Sequence, residues 1–307
     1  MISVPLPRPF NVRRTLGFLR RSSLRTPYHF IDGDRVRRLI RLGGRSALIE
    51  FRFATHPRGR LQATIVRTRG KMGHRPPAGP LATGALRRLA AAVWSLDHDL
   101  ARCYRAFAGD PVMTRLLGHC RGLRMIRTTD VYEALLIAVV NQQVSVASAE
   151  SIRRRINAAL GTRMVNDGFR YVSYPTPRQI LEAGIAELRT LGLSRQKARY
   201  MLEVAERAAA GALDETIFSA LDDAAAAAKL MEIPGVGRWT AEIVMMRGLG
   251  RLDVFPAGDV GLAVAVQRAW GRPNRPTEDE MRDLAARWAG WRSYGALYLW
   301  HSLGITA

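Results

Sequence analysis

The chain has 307 residues, with 47 Lys+Arg against 26 Asp+Glu, a net charge of +21 and a hydrophobic fraction of 48%. So much apolar sequence excludes a largely disordered chain, and the charge favours a polyanionic partner, nucleic acid before an anionic membrane surface. Two cysteines, Cys103 and Cys120, are too few for a disulfide scaffold, a zinc site or an iron–sulfur cluster, and no apolar run is long enough to cross a membrane. Met1 to Arg14 lacks the apolar stretch of a signal peptide, so a cytoplasmic location is expected.

The charge is uneven. Residues 1–80 hold 18 Lys/Arg and 3 Asp/Glu, a net of +15, whereas residues 81–307 hold 29 and 23, a net of +6. The basic part reads as β-rich. Val36–Leu42 and Ser46–Phe53 are β-branched and aromatic runs joined by Gly43-Gly44, a hairpin signal because both turn residues can take positive φ. A turn at Pro57-Arg58-Gly59 precedes a third strand, Arg60–Thr68. Arginines alternate with apolar residues in Arg37-Arg38-Leu39-Ile40-Arg41-Leu42, which predicts one basic, wet sheet face and one packed face. Gly70 to Gly84, with three prolines, is the expected linker.

Beyond the linker the sequence reads as helical. Ala85–Ala108, Thr129–Val146, Ala147–Leu160, Arg195–Ala210, Asp222–Met231 and Trp239–Leu249 carry helical periodicity or strong helix formers. The same holds for Val260–Trp270, Thr277–Ala289 and Tyr294–Leu303. The expected fold class is α+β: a small antiparallel sheet domain over 1–82, then a mostly helical region over 83–307.

Residues 230–241, Leu-Met-Glu-Ile-Pro-Gly-Val-Gly-Arg-Trp-Thr-Ala, join two of these helices. Gly235 and Gly237 permit positive φ and put no side chain between backbone and ligand. The following helix then offers unpaired N–H groups to a phosphate oxygen. This is the physical logic of a helix-hairpin-helix, which grips a DNA backbone without reading bases. Alone, such a segment is also a plain glycine-capped turn. Asp259 lies 22 positions beyond Gly237 in the loop 253–261, where a helix begins. By itself it reads as an N-cap. One short helix from a phosphate grip, its carboxylate can face the sugar of a nucleotide turned out of the duplex.

These residues resemble the helix-hairpin-helix (HhH-GPD) DNA glycosylase superfamily, and within it the bacterial 3-methyladenine glycosylase II branch. Asp130-Val131-Tyr132-Glu133-Ala134 with Asn141-Gln142-Gln143-Val144-Ser145, Tyr174-Pro175-Thr176-Pro177, Leu191-Gly192-Leu193-Ser194 with Lys197-Ala198, and Trp291-Arg292-Ser293-Tyr294 extend the likeness over about residues 110–303. The first 82 residues are similar in length and strand pattern to that branch's TATA-binding-protein-like domain, followed by a helical part of two subdomains. The resemblance implies that Asp259 is the essential aspartate, and that Gly235, Val236 and Gly237 bind the DNA backbone. Backbone carbonyls of Met231, Ile233 and Val236 fall where family members hold a monovalent cation. Trp239 and Trp291 fall on walls of the base pocket, and Gln142 and Gln143 lie where the family probes the gap left by the flipped base. A monomer acting on damaged double-stranded DNA, with no required cofactor, is implied.

Two departures bear on chemistry. Trp239 stands where the bifunctional members carry the lysine that attacks the sugar, and Ile243 replaces an aromatic of the alkylated-base pocket. The expected reaction is hydrolysis of the N-glycosidic bond of an alkylated purine. Cleavage builds positive charge on the sugar. A carboxylate stabilises that charge in a water-poor site and can orient the attacking water. Two alternatives stay open: another lesion, such as 8-oxoguanine or a deaminated purine, and a DNA-binding module without catalysis.

Overall fold

A computed structural model describes residues 1–21, 30–54, 59–69 and 80–304. Most of the expected linker and the turn residues Pro57 and Arg58 lie outside them. The chain opens with β1 (Ile2–Pro5), α1 (Val12–Arg21), β2 (Phe30–Asp32), β3 (Arg35–Leu42), β4 (Arg45–Ala54) and β5 (Arg60–Arg69). They form an antiparallel five-stranded sheet of order β1-β5-β4-β3-β2. Gly43 and Gly44 turn the β3–β4 hairpin at φ 56° and 76°.

Alternation puts Val36, Ile40, Phe51 and Phe53 on one buried face. Phe51 and Phe53 meet the edge of Trp94, with ring centroids 5.6 and 4.8 Å apart. The other face is not uniformly wet. Directly opposed Leu39 and Leu48 pack against Met164 and Tyr171 of a two-stranded ribbon, β6 (Arg163–Asn166) and β7 (Phe169–Val172). Arg38 belongs to the packed face, where it pairs with buried Glu133. That pairing removes the penalty of an isolated buried charge and ties the sheet to the helices.

The helices are α2 (Pro80–Val93), α3 (Leu100–Phe107), α4 (Pro111–Cys120), α5 (Val131–Asn141), α6 (Val146–Leu160), α7 (Pro177–Thr190) and α8 (Arg195–Ala209). After them come α9 (Glu215–Ser219), α10 (Asp223–Met231), α11 (Arg238–Arg247), α12 (Val260–Ala269), α13 (Glu278–Ala286) and α14 (Arg292–Ser302). The single helix expected over Ala85–Ala108 is two. Ser95 at φ 47° ends the first, and Asp99 caps the second by accepting from the Ala101 and Arg102 N–H groups. The boundary expected near residue 82 falls inside α2, and one continuous core runs from Ile2 through Trp300. Helices α5, α11 and α14 are buried on nearly all sides; the apolar sequence of α5 requires it, whereas α11 buries Glu242 and Arg247 among its apolar residues. No helix among the described residues is long and apolar enough to cross a membrane.

Candidate active site

The hairpin between α10 and α11 is held from below by apolar anchors. Leu230, Ile233 and Val236 are buried, and the Val236 N–H donates to the Ile233 carbonyl at 2.9 Å. Gly235 takes φ 84°, and a Cβ there would stand 2.2 Å from the Tyr200 ring. Glycine is therefore required twice, by conformation and by space. Gly237 caps α11 without a side chain, and a Cβ on it would meet nothing within 4 Å. The start of α11 is thus open to an anion.

Asp259 caps α12, the expected role, and does more. Its Oδ1 accepts from the Leu262 N–H at 2.7 Å and from the Trp300 indole N–H at 3.0 Å. Its Oδ2 accepts from the Trp239 indole N–H at 3.0 Å. A carboxylate offers about four acceptor positions. Three are used, by groups from α11, α12 and α14, and one position on Oδ2 is left for a water or a sugar hydroxyl.

A cavity of about 940 Å³ opens beside this carboxylate, within the usual range of ligand sites. Trp239, Ile243, Arg247, Asp259 and Trp300 line it, together with the hairpin glycines and the α5–α6 turn. Trp239 thus both borders the cavity and positions Asp259. Trp291 does not line the cavity. It precedes α14 and packs on Tyr294, ring centroids 5.9 Å apart. Trp300, not Trp291, is the second tryptophan beside Trp239 in the cavity lining. In sequence Trp300 reads as core, which it also is, so no local signal marks its second role.

The two glutamines diverge. Gln142 turns inward, its amide donating to the Gly235 carbonyl at 2.8 Å and to Thr240 Oγ1 at 3.0 Å. It braces the α5–α6 turn against the hairpin, so its amide N–H groups are not free to probe DNA. Gln143 is exposed at φ 50°, beside exposed Val144 and Val146 on the rim. Lys197, given no role from the sequence, donates to the Val140 and Gln142 carbonyls and secures the same turn from α8. Partial burial lowers its pKa. Met231 ends α10, and helix geometry leaves its carbonyl without an intrahelical partner. No cluster of three His, Cys, Asp or Glu suited to a metal occurs among the described residues.

An open helix start behind the hairpin, a cavity of about 940 Å³ and a pre-positioned carboxylate therefore meet on one face. The chain belongs to the HhH-GPD superfamily of base excision DNA repair proteins, whose family model matches residues 136–290, half of the chain. It is 26% identical over 303 residues to a Bacillus subtilis DNA-3-methyladenine glycosylase, covering 99% of this chain and 97% of that one. Its fold is similar to that of a 3-methyladenine DNA glycosylase from Archaeoglobus fulgidus, with TM-score 0.83, 26% identity and coverage of 98% and 97%. A Schizosaccharomyces pombe 3-methyladenine DNA glycosylase in complex with abasic DNA matches at TM-score 0.58 and 26% identity, over 66% of this chain and 97% of that one.

Proposed function

We propose that this chain is a monofunctional DNA glycosylase that hydrolyses the N-glycosidic bond of alkylated, 3-methyladenine-type purines flipped out of duplex DNA. The observation that carries the reading is Asp259, fixed by three N–H donors at the edge of the cavity with one acceptor position open. As the C1′–N bond lengthens, positive charge grows on the sugar beside this carboxylate. The free position on Oδ2 orients the attacking water and takes up its proton. The Trp239 face suits a cationic base, which leaves without a strong general acid.

Flipping costs a few kcal/mol, least for damaged pairs. The hairpin, the open start of α11 and exposed Gln143 serve that step. The carbonyls of Met231 and Ile233, at and just beyond the end of α10, and of Val236 in the hairpin are neutral oxygens, a donor set that fits a monovalent cation. Such a cation adds positive charge where the phosphate lies. Among the described residues the one lysine lining the cavity, Lys197, is engaged by two carbonyls, which supports hydrolysis over a Schiff-base route. The protein acts as a monomer on nucleoid DNA in the cytoplasm. The test is excision from duplexes carrying one 7-methylguanine, scored with and without alkali. Base release with strand breaks only after alkali is expected. Strand cleavage without alkali, or no release, refutes the reading.

A further inference from the structure

Arg238 is the first residue of α11, directly after the bare Gly237 cap, and no acidic residue occupies the first turn. The Ala241 N–H donates to the Gly237 carbonyl at 3.0 Å, so the N–H groups of Arg238, Trp239 and Thr240 have no partner within the helix. A cation at this end opposes the helix dipole. Arg238 nonetheless stands there with its side chain 64% exposed, and it lines the cavity beside Asp259. Its own contact is a loose one. Nε donates to Glu242 Oε1 at 3.3 Å, one turn along α11. Arg282 of α13 donates to the same oxygen at 2.9 Å and is held in place by Glu278. The other oxygen, Glu242 Oε2, is buried and has no hydrogen-bond partner. Two guanidinium groups therefore share one acceptor atom, and the shorter bond is not the one from Arg238. A buried carboxylate stripped of every cation is strongly destabilising. Arg282 prevents that when Arg238 moves away, and an ion pair of an exposed arginine contributes little.

We propose that Arg238 leaves Glu242 when DNA arrives and closes on the backbone phosphate seated at the start of α11, while Arg282 keeps Glu242 paired. The phosphate is then held by helix N–H groups and by a guanidinium fork, whose planar donors match its oxygens. Its negative charge also removes the conflict between Arg238 and the helix dipole. The contact fixes the strand without reading a base. Its place in the chain ties it to the chemistry, because the next residue, Trp239, donates to Asp259. A phosphate clamped at Arg238 is therefore clamped one residue from a support of the carboxylate.

This inference rests on the reading of the hairpin as a DNA grip, and the experiment separates the two. Affinity for a duplex with a tetrahydrofuran abasic analogue is measured by fluorescence anisotropy between about 50 and 200 mM salt. The proteins are the wild type, Arg238→Ala, Arg238→Lys and Glu242→Gln. Arg238→Ala is expected to weaken binding by about three- to tenfold near 0.1 M salt and to lower the slope of log affinity against log salt by about 1. Arg238→Lys keeps the charge and the slope, and should stay within about threefold of the wild type. Glu242→Gln keeps an acceptor for Arg282 and releases Arg238, so affinity should hold or rise by up to about threefold. Should Arg238→Ala not fold, Arg238→Gln gives the same slope. An Arg238 that serves only to pair with Glu242 predicts that Arg238→Ala and Glu242→Gln lose stability alike in urea while the wild-type slope is kept. That result overturns the proposal, and so does Glu242→Gln weakening binding as much as Arg238→Ala. A wild type whose affinity ignores salt overturns the hairpin reading together with it. A wild type that binds with a steep slope yet releases no 7-methylguanine overturns the glycosylase reading alone, since the salt slopes read Arg238 without excision.

Discussion

Asp259→Asn keeps the shape of the side chain and removes its charge. In the folded protein one amide oxygen can retain the Leu262 and Trp300 donors, but the amide nitrogen then faces the Trp239 indole N–H, donor against donor. That conflict costs about 1–3 kcal/mol of stability. The loss in catalysis is larger. Unit charges about 4 Å apart at an effective dielectric of about 20 interact by about 4 kcal/mol, which corresponds to about a thousandfold in rate. Single-turnover release of 7-methylguanine should fall by that order. Affinity for a duplex with a tetrahydrofuran abasic analogue should hold or improve, since an anion near the phosphates is gone. Trp300→Phe keeps the ring and loses one donor to Oδ1, and a drop of about tenfold is expected. Asp259→Asn releasing the base within tenfold of the wild type, at unchanged DNA affinity, would refute the assignment.

Further outcomes follow from the same geometry. Gly235→Ala meets both an unfavourable φ and the Tyr200 ring, so it should destabilise the fold by about 1–3 kcal/mol and weaken DNA binding. A second change, Tyr200→Ala, should recover part of that loss by making room, and urea unfolding showing no loss for Gly235→Ala contradicts the argument. His98 is buried against the Tyr294 hydroxyl, 2.9 Å from Nδ1, and desolvation lowers its pKa from 6.5 to about 4, aided by Arg127 and Arg124. The unfolded chain therefore binds this proton first, and stability falls as the pH drops from 6.5 towards 4, by up to about 3 kcal/mol. His98→Asn should flatten that limb, and an unchanged slope in urea titrations at pH 7 and 4.5 would count against it. Burial raises the pKa of Cys103 and pushes that of Cys120 up to about 12, so iodoacetamide at pH 8 should label neither until the protein is unfolded. Labelling of the native protein would show that these thiols are accessible.

The legible parts of the fold are those coded locally. Long periodic helices such as α6, α8 and α12, the Gly43-Gly44 hairpin and the Asp259 cap need only neighbouring residues, and the sequence places them closely. The ribbon β6–β7 went unread although Asp167-Gly168, both at positive φ, is a hairpin signal, because its strands have four residues each. Helix α1 is short and rich in arginine, which hides its apolar stripe. At the site, the hairpin and Asp259 were readable for the same local reason. Trp300 was not, since its bond to Asp259 spans 41 residues and nothing in its pattern departs from core packing. The brace of Gln142 on Gly235 spans 93 residues, and family likeness alone gave that glutamine an outward role. Convergence of distant helices is set by packing, which periodicity does not encode.

Net charge misleads in a related way. Arg38, Arg124, Arg127, Arg153 and Arg247 are all buried, so part of the +21 never reaches DNA. Arg124 donates to the carbonyls of Ser95, His98 and Pro9, and its chain N–H meets Thr15, which joins the sheet domain to the helices. A guanidinium satisfies several carbonyls at once because its five donors are fixed in a plane. Arginines inside the fold supply rigidity, and those left on the surface supply the charge available to a polyanion. Rigidity is what the chemistry needs. Asp259 is fixed from three helices and the rim turn from the hairpin and α8, so the carboxylate is aimed before DNA arrives and need not reorganise as charge develops. Loosening any one of these supports should therefore slow base release more than it weakens binding.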